Sequence, residues 1–227
     1  MHGEQEVSFA PRLVWILLHA LIVLASGWFL VFDGFEVVFG WFGIVTTEGH
    51  AGRRGVLLAF GIMMWIRMTF GALLFLRRRF DWSECFAVTG ACALYQFGFA
   101  AAGVSTVTPL GWFDTAAAAL YLLGSGINSF AEMERDQFKK DPAHRGRLYT
   151  GGLFSLVQHP NYLGDVAWLT GWALLTLNPW AFALPAVATV CFVFFFIPAL
   201  GRYLAGRYAD EYSAWAARTP KLIPFLY

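Results

Sequence analysis

Apolar runs long enough to cross a bilayer constrain this chain more than any other feature. A hydrocarbon core of ~30 Å needs about 20 helical residues to cross it. Residues 12–32, 55–76 and 84–104 each supply such a run with few charges. Residues 109–127 and 162–177 give two more, and after Asn178-Pro179 a sixth continues to about residue 200. Backbone N–H and C=O groups in hydrocarbon must be satisfied within their own segment, so runs of this kind are helical. The expected fold is therefore all-α: a polytopic membrane helical bundle of about six transmembrane helices, with room for a seventh in 33–54. Composition agrees, since only 14% of 227 residues are charged, against about a quarter in a soluble domain. The net charge of +1 offers no footprint for nucleic acid.

Between these runs the chain is uneven. A polar leader covers 1–11. Residues 33–54 hold an aromatic patch and then Thr46-Thr47-Glu48-Gly49-His50, an interfacial or re-entrant pattern. Residues 128–162 read as a long polar connection. Residues 202–218 interleave charges with Tyr203, Tyr208, Tyr212 and Trp215, as an interfacial amphipathic helix does. The first apolar run is too long for a signal-peptide core and no small-residue cleavage site follows it. Cys85, Cys92 and Cys191 have no metal-ligand spacing, so no metal is expected. Arg77–Arg79, the 128–162 connection and the tail fall on one side of a six-span layout. The positive-inside rule puts that side, with both termini, in the cytoplasm; Arg53 and Arg54 are the discordant pair. The whole chain, 1–227, reads as a single transmembrane domain. Within it, 1–127 are the N-terminal helices and 128–227 the C-terminal region.

Polar groups concentrate in one stretch, Gly151-Gly-Leu-Phe-Ser-Leu-Val-Gln-His-Pro-Asn-Tyr-Leu-Gly-Asp165. Gly151-Gly152 suits a turn. Pro160 disfavours a helical His159, and Asn161 is placed to cap the apolar run that follows. His159, Asn161, Tyr162 and Asp165 thus gather at a helix mouth with its free N–H groups. An imidazole, an amide, a phenol and a carboxylate there suit a polar cofactor head group; a capped, water-facing helix start fits the same spacing. Arg67, near the middle of the second run, needs a partner or a wet cavity. His19 in the first run reads as a helix-packing histidine.

Three stretches together resemble the steroid 5α-reductase-like membrane enzymes and sterol C14 reductases: the Gly151–Asp165 signature, Gly124-Ser-Gly-Ile-Asn128 with Glu132, and Arg218-Thr-Pro-Lys-Leu-Ile-Pro-Phe-Leu-Tyr227. Asp136-Gln-Phe-Lys139 and Trp82-Ser-Glu84 are similar to the small bacterial branch of that family. The His-Pro-Asn-Tyr piece is shared in part with isoprenylcysteine carboxyl methyltransferases. The resemblance covers about residues 120–227. It implies a bound NADPH and reduction of a C=C bond in a steroid- or lipid-like substrate. Asn128 and Glu132 would meet polar edges of the cofactor and Arg147 its phosphate. His159, Asn161, Tyr162 and Asp165 would hold ribose, amide or diphosphate, and Tyr212 and Arg218 would close the site.

The chain departs from this pattern in its early spans. Met63-Met-Trp-Ile-Arg67 holds no tyrosine where the steroid enzymes carry their proton donor. Glu48 is a positional match for their glutamate, and Tyr95 is the nearest buried phenol, with core packing as its competing role. Arg67 could polarise a carbonyl or pair with a buried acid. Gln158 stands where a basic residue often precedes His-Pro. S-adenosylmethionine is the alternative cofactor, with a methyltransferase as the alternative enzyme, and a non-catalytic lipid-binding member is a third reading. The expected partners are a lipid- or steroid-like small molecule and membrane lipid. The sequence leaves the oligomeric state open and is compatible with a monomer.

Overall fold

The structure is a computed structural model, and it describes residues 8–76 and 78–224. The polar leader up to residue 7, Arg77 of the arginine run and the last three residues of the C-terminal motif lie outside the described residues. In chain order the helices are α1 (Phe9–Val31), α2 (Gly34–Gly40), α3 (Ala51–Phe70), α4 (Trp82–Gly103), α5 (Trp112–Lys140), α6 (Pro160–Thr176), α7 (Ala183–Cys191) and α8 (Ile197–Ala216). A π turn, Gly71–Phe75, extends α3, and another, Phe192–Phe196, joins α7 to α8. No strand occurs among the described residues, so the fold is all-α as expected. Among the described residues, four helical stretches are long and apolar enough to cross a membrane: Phe9–Val31, Ala51–Phe75, Trp82–Gly103 and Pro179–Ala216. This is the build of an integral, multi-pass membrane protein.

Three expectations are corrected. Residues 33–54 hold the short α2 and an extended stretch, and α3 begins at Ala51 rather than at 55. Residues 128–140 belong to α5, which reaches Lys140 in 29 residues, so the polar connection shrinks to 141–159. Its charges lie along a helix whose buried positions include Ala131 and Asp136; polarity there marks a face of a helix, not a loop. The tail helix is continuous with the last apolar run and is broken at Ala209, where φ is 38° and ψ is −107°.

The chain divides into two compact units. The first comprises Met1–Ala119 and Gly171–Leu184. Here α1 packs on α3 and α4. Phe29 meets Phe35, Phe39 and Phe97 edge-on, and Phe99 stacks on Trp172 at 4.8 Å. Arg53, in the first turn of α3, is 0% exposed. Its guanidinium grips Asp114 with both terminal nitrogens, at 2.5 and 3.2 Å. It also donates to the carbonyls of Thr108, Pro109 and Leu175. A planar fork of five donors suits such a crowded set of acceptors. Arg54, its neighbour, pairs with Asp33 and Glu48 and lies over the Phe35 ring. The two arginines discordant in sequence are thus both neutralised locally.

The second unit comprises Leu120–Thr170 and Pro185–Tyr227. Its core is Ala131, Phe154 and Trp215, flanked by Leu148, Tyr149, Leu153 and Tyr212. α5 and α6 cross with their backbones in contact. A Cβ on Gly124 would lie 2.7 Å from the Gly164 carbonyl oxygen, and one on Gly164 would lie 2.6 Å from that of Gly124. Small residues at a crossing let helices approach this closely.

Candidate functional site

The glycine crossing sets the site. One turn along α5 from Gly124 is Asn128, and Gly164 is flanked in α6 by Asn161 and Asp165. Asn128 Nδ2 donates to the Asn161 carbonyl at 3.0 Å and to Asp165 Oδ1 at 2.8 Å. Trp168, one turn after Asp165, donates its indole N–H to the same oxygen at 2.8 Å. That residue has no place in the sequence reading, although its i, i+3 spacing from Asp165 puts both on one helix face. The Ser125 hydroxyl, also on α5, is buried and has no hydrogen-bond partner among the described residues.

α6 begins at Pro160, one residue before the cap expected at Asn161. Proline is favoured at a first helical position because the N–H it lacks would be unpaired there anyway. The His159 carbonyl accepts the Leu163 N–H at 3.1 Å, so His159 is the residue that enters the helix. It is 3% exposed. Its ring stacks on Tyr162 at 5.4 Å, and Tyr162 stacks on Phe192 of the π turn at 4.5 Å. Burial, and then the charge of Lys221, push the His159 imidazole down to about 4. The ring is therefore neutral at pH 7.

The tail is stitched to this entrance. Gln158 N–H donates to the Pro220 carbonyl at 2.8 Å and His159 N–H to that of Lys221 at 3.1 Å. The Gln158 amide donates to the carbonyls of Thr219 and Ala216, at 2.6 and 3.3 Å, and Trp215 Nε1 to that of Phe154 at 2.9 Å. Gln158, a departure from the family pattern, is the side chain that holds the tail. Upstream, Gly152 has a φ of +51°, and any Cβ there would run into the Glu134 carboxylate. Glu134 in turn accepts the Leu153 N–H at 3.0 Å. The Gly-Gly pair is thus a turn that settles on an α5 acid.

The remaining residues singled out for the cofactor are spread around this core. Glu132, one turn beyond Asn128, pairs with Arg135. Arg147 is exposed at its side chain (63%) and pairs with Glu211 at 2.9 Å. The second Glu211 oxygen accepts the Leu148 N–H at 2.9 Å. Tyr212 packs on Trp215, and Arg218 is exposed on the tail. All nine, from Asn128 to Arg218, belong to the second unit.

Glu48, Arg67 and Tyr95 belong to the first unit. Glu48 is 67% exposed at its side chain and engages Arg54 at 2.5 Å. Arg54 precedes Arg67 by 13 residues of the same helix, about 20 Å of rise. Glu48 therefore sits at the entrance of α3, well removed from Arg67. Arg67 is half-buried in α3 and Tyr95 half-buried in α4, beside Gln96. Among the described residues no cluster of three or more His, Cys, Asp or Glu could hold a metal ion.

A multi-pass helical membrane protein whose polar site joins two glycine-crossed helices to a C-terminal tail defines a recognisable class. Residues 84–219 match the family described as "Protein of unknown function (DUF1295)", and the chain belongs to that family. It is 30% identical over 108 residues to the 3-oxo-5-alpha-steroid 4-dehydrogenase 2 of Rattus norvegicus, covering 48% of this chain and 41% of that protein. It is 27% identical over 110 residues to the Protein-S-isoprenylcysteine O-methyltransferase B of Arabidopsis thaliana, covering 48% and 51%. Over a shorter stretch of 55 residues it is 46% identical to the "Probable O-methyltransferase ustE" of Ustilaginoidea virens, covering 24% and 19%. The chain thus spans about half the length, or less, of these relatives. The resemblance to steroid 5α-reductases and to membrane methyltransferases holds, each at a distance; all three relatives named are enzymes.

Proposed function

We propose that this protein is an NADPH-dependent membrane reductase that saturates a C=C bond conjugated to a carbonyl in a lipid-like substrate. The observation that carries the reading is the Gly124–Gly164 crossing, which fixes Asn128 against Asp165 and the Asn161 carbonyl. The fit rests on donor chemistry: amide, carboxylate and neutral imidazole lie at one helix entrance, with the unpartnered Ser125 hydroxyl one turn before Asn128. Such a set suits the ribose and amide edges of a dinucleotide. Arg147, with the Leu148 N–H beside it, suits a phosphate; the Glu211 carboxylate that both now hold has the charge and shape of such an anion. NADPH, when bound, supplies a hydride.

What this chain's residues do is bind and orient. Asn128, Asp165 and Trp168 hold one another so that the amide keeps a single orientation. The His159–Tyr162–Phe192 stack excludes water from the entrance. In the first unit, Arg67 is the cation suited to polarise a carbonyl and Tyr95 the phenol suited to give a proton. Glu48 keeps Arg54 neutralised at the entrance of α3. The clustering of Lys and Arg in the sequence supports a cytoplasmic side for this site.

Titration calorimetry on protein in nanodiscs tests the reading. NADPH is expected to bind, and Asn128→Ala and His159→Ala to weaken it at least about tenfold, near 1.4 kcal/mol. Unchanged affinity in both variants would remove this site from consideration. The 46% identity to a probable O-methyltransferase keeps a second reading alive, transfer of a methyl group from S-adenosylmethionine. Heat on titration with S-adenosylmethionine, and none with NADPH, would establish it instead.

A further inference from the structure

Inside the first unit, one face of α1 carries polar groups that nothing among the described residues satisfies. Trp15, His19 and Ser26 follow at spacings of four and seven, so they share the buried side of the helix. Among the described residues the Ser26 hydroxyl has no hydrogen-bond partner, and neither do the two nitrogens of His19. His19 is 0% exposed. On α4, Gln96 is pinned by its amide nitrogen, which donates to the Gly61 carbonyl at 3.0 Å. Its carbonyl oxygen is left buried and unpaired.

Hydrocarbon offers such groups no substitute for water, so each unsatisfied one carries a real cost. A phenylalanine at position 19 would avoid that cost with similar bulk. The opposite face of α1 has been given such residues: Leu17, Leu21 and Leu24 are exposed and suit lipid. Polar residues kept inside a membrane helix mark a ligand or an ion pathway by default. Among the polar groups on this face His19 is the one with two unmet atoms, a donor on one nitrogen and an acceptor on the other when neutral.

We infer that His19 is a binding residue for the oxygen of a neutral lipid, a ketone or an alcohol, held within the α1, α3 and α4 group. A carbonyl oxygen takes the imidazole N–H; a hydroxyl can also give its hydrogen to the other nitrogen. Lipids of this class enter laterally, between helices, without crossing water. The inference relies on the proposed reductase reading only for the class of ligand.

The test uses full-length protein in nanodiscs, labelled with 15N-histidine, and two probes: cholest-4-en-3-one and a long-chain methyl ketone. The 15N resonance absent from His19→Phe is His19. It is expected to shift on adding at least one probe and to stay in place with the matching hydrocarbon. His19→Phe is expected to bind the responding ketone about tenfold more weakly, with His19→Asn recovering part of the loss. The same Phe variant, without ligand, is expected to melt no lower than the parent, because it removes two unpaired polar atoms. A resonance unmoved by either ketone, as a buried water alone would leave it, overturns the inference. So does a lower melting temperature in His19→Phe with ketone affinity unchanged, which would make His19 a packing residue. NADPH affinity is measured alongside. Its loss in the unmodified protein would count against the dinucleotide site and leave the His19 result standing.

Discussion

Both units carry a carboxylate held by a nitrogen donor, and the two arrangements serve different ends. In the first, Asp114 is locked by Arg53, whose guanidinium is saturated by that acid and three backbone carbonyls. Nothing is left over for a ligand. In the second, Asp165 is held by neutral donors, the Asn128 amide and the Trp168 indole, at a helix entrance where further polar groups converge. A charge answered in full makes an anchor. A carboxylate hydrogen-bonded by an amide and an indole, among other polar groups, is a candidate for recognition instead.

The sharpest way to break this comparison is at the anchor. Arg53→Met leaves Asp114 buried beside carbonyls, and removing one member of a buried pair costs about 3–5 kcal/mol. Chemical denaturation in detergent should show a loss of that order. Arg53→Met with Asp114→Leu should recover most of it, because an apolar pair replaces the ions. If the double variant is as damaged as the single, the carbonyl contacts matter more than the acid.

A second effect, next in size, sits at the entrance to α6. His159 ordinarily titrates near 6.5 in an unfolded chain and near 4 in the fold. A depressed histidine is neutral when folded, so protonation favours the unfolded chain. Its contribution is complete above about pH 6.5 and is lost as pH falls from there towards 4. Melting temperatures should fall across that window by the equivalent of at most about 3 kcal/mol. The fall should be smaller in His159→Gln. Equal slopes in both proteins would show that other groups carry the acid sensitivity.

The smallest effect is at Glu211. Its pair with Arg147 is exposed, and solvent screening leaves such pairs little weight in stability. Glu211→Gln should barely move stability, yet it frees a guanidinium and an N–H for an external anion. NADPH should then bind more tightly, by a few-fold, in low salt. Weaker binding would mean that the glutamate belongs to the site itself.

Much of the fold could be read in advance because apolar runs of this length have only one satisfactory conformation. Residues 128–140 could not, since their charges are periodic on a helix but look like a connection when counted. Arg53 resisted for another reason. Its partner lies 61 residues away and its other acceptors are carbonyls, which leave no trace in side-chain pattern. At the site, Asn128, Asn161 and Asp165 come together because a family signature and helical spacing point the same way. Gln158 read as a defect in the signature. Only the folded chain reveals that it grips the tail, again through backbone oxygens.

That grip has a bearing on how this protein can drift. Where a strap is fastened by main-chain oxygens at 216, 219, 220 and 221, these hydrogen bonds do not depend on which side chains those residues carry. A single inserted or deleted residue between Trp215 and Lys221 would shift every oxygen out of register at once. Natural variation in this strip should therefore be nearly empty of length changes.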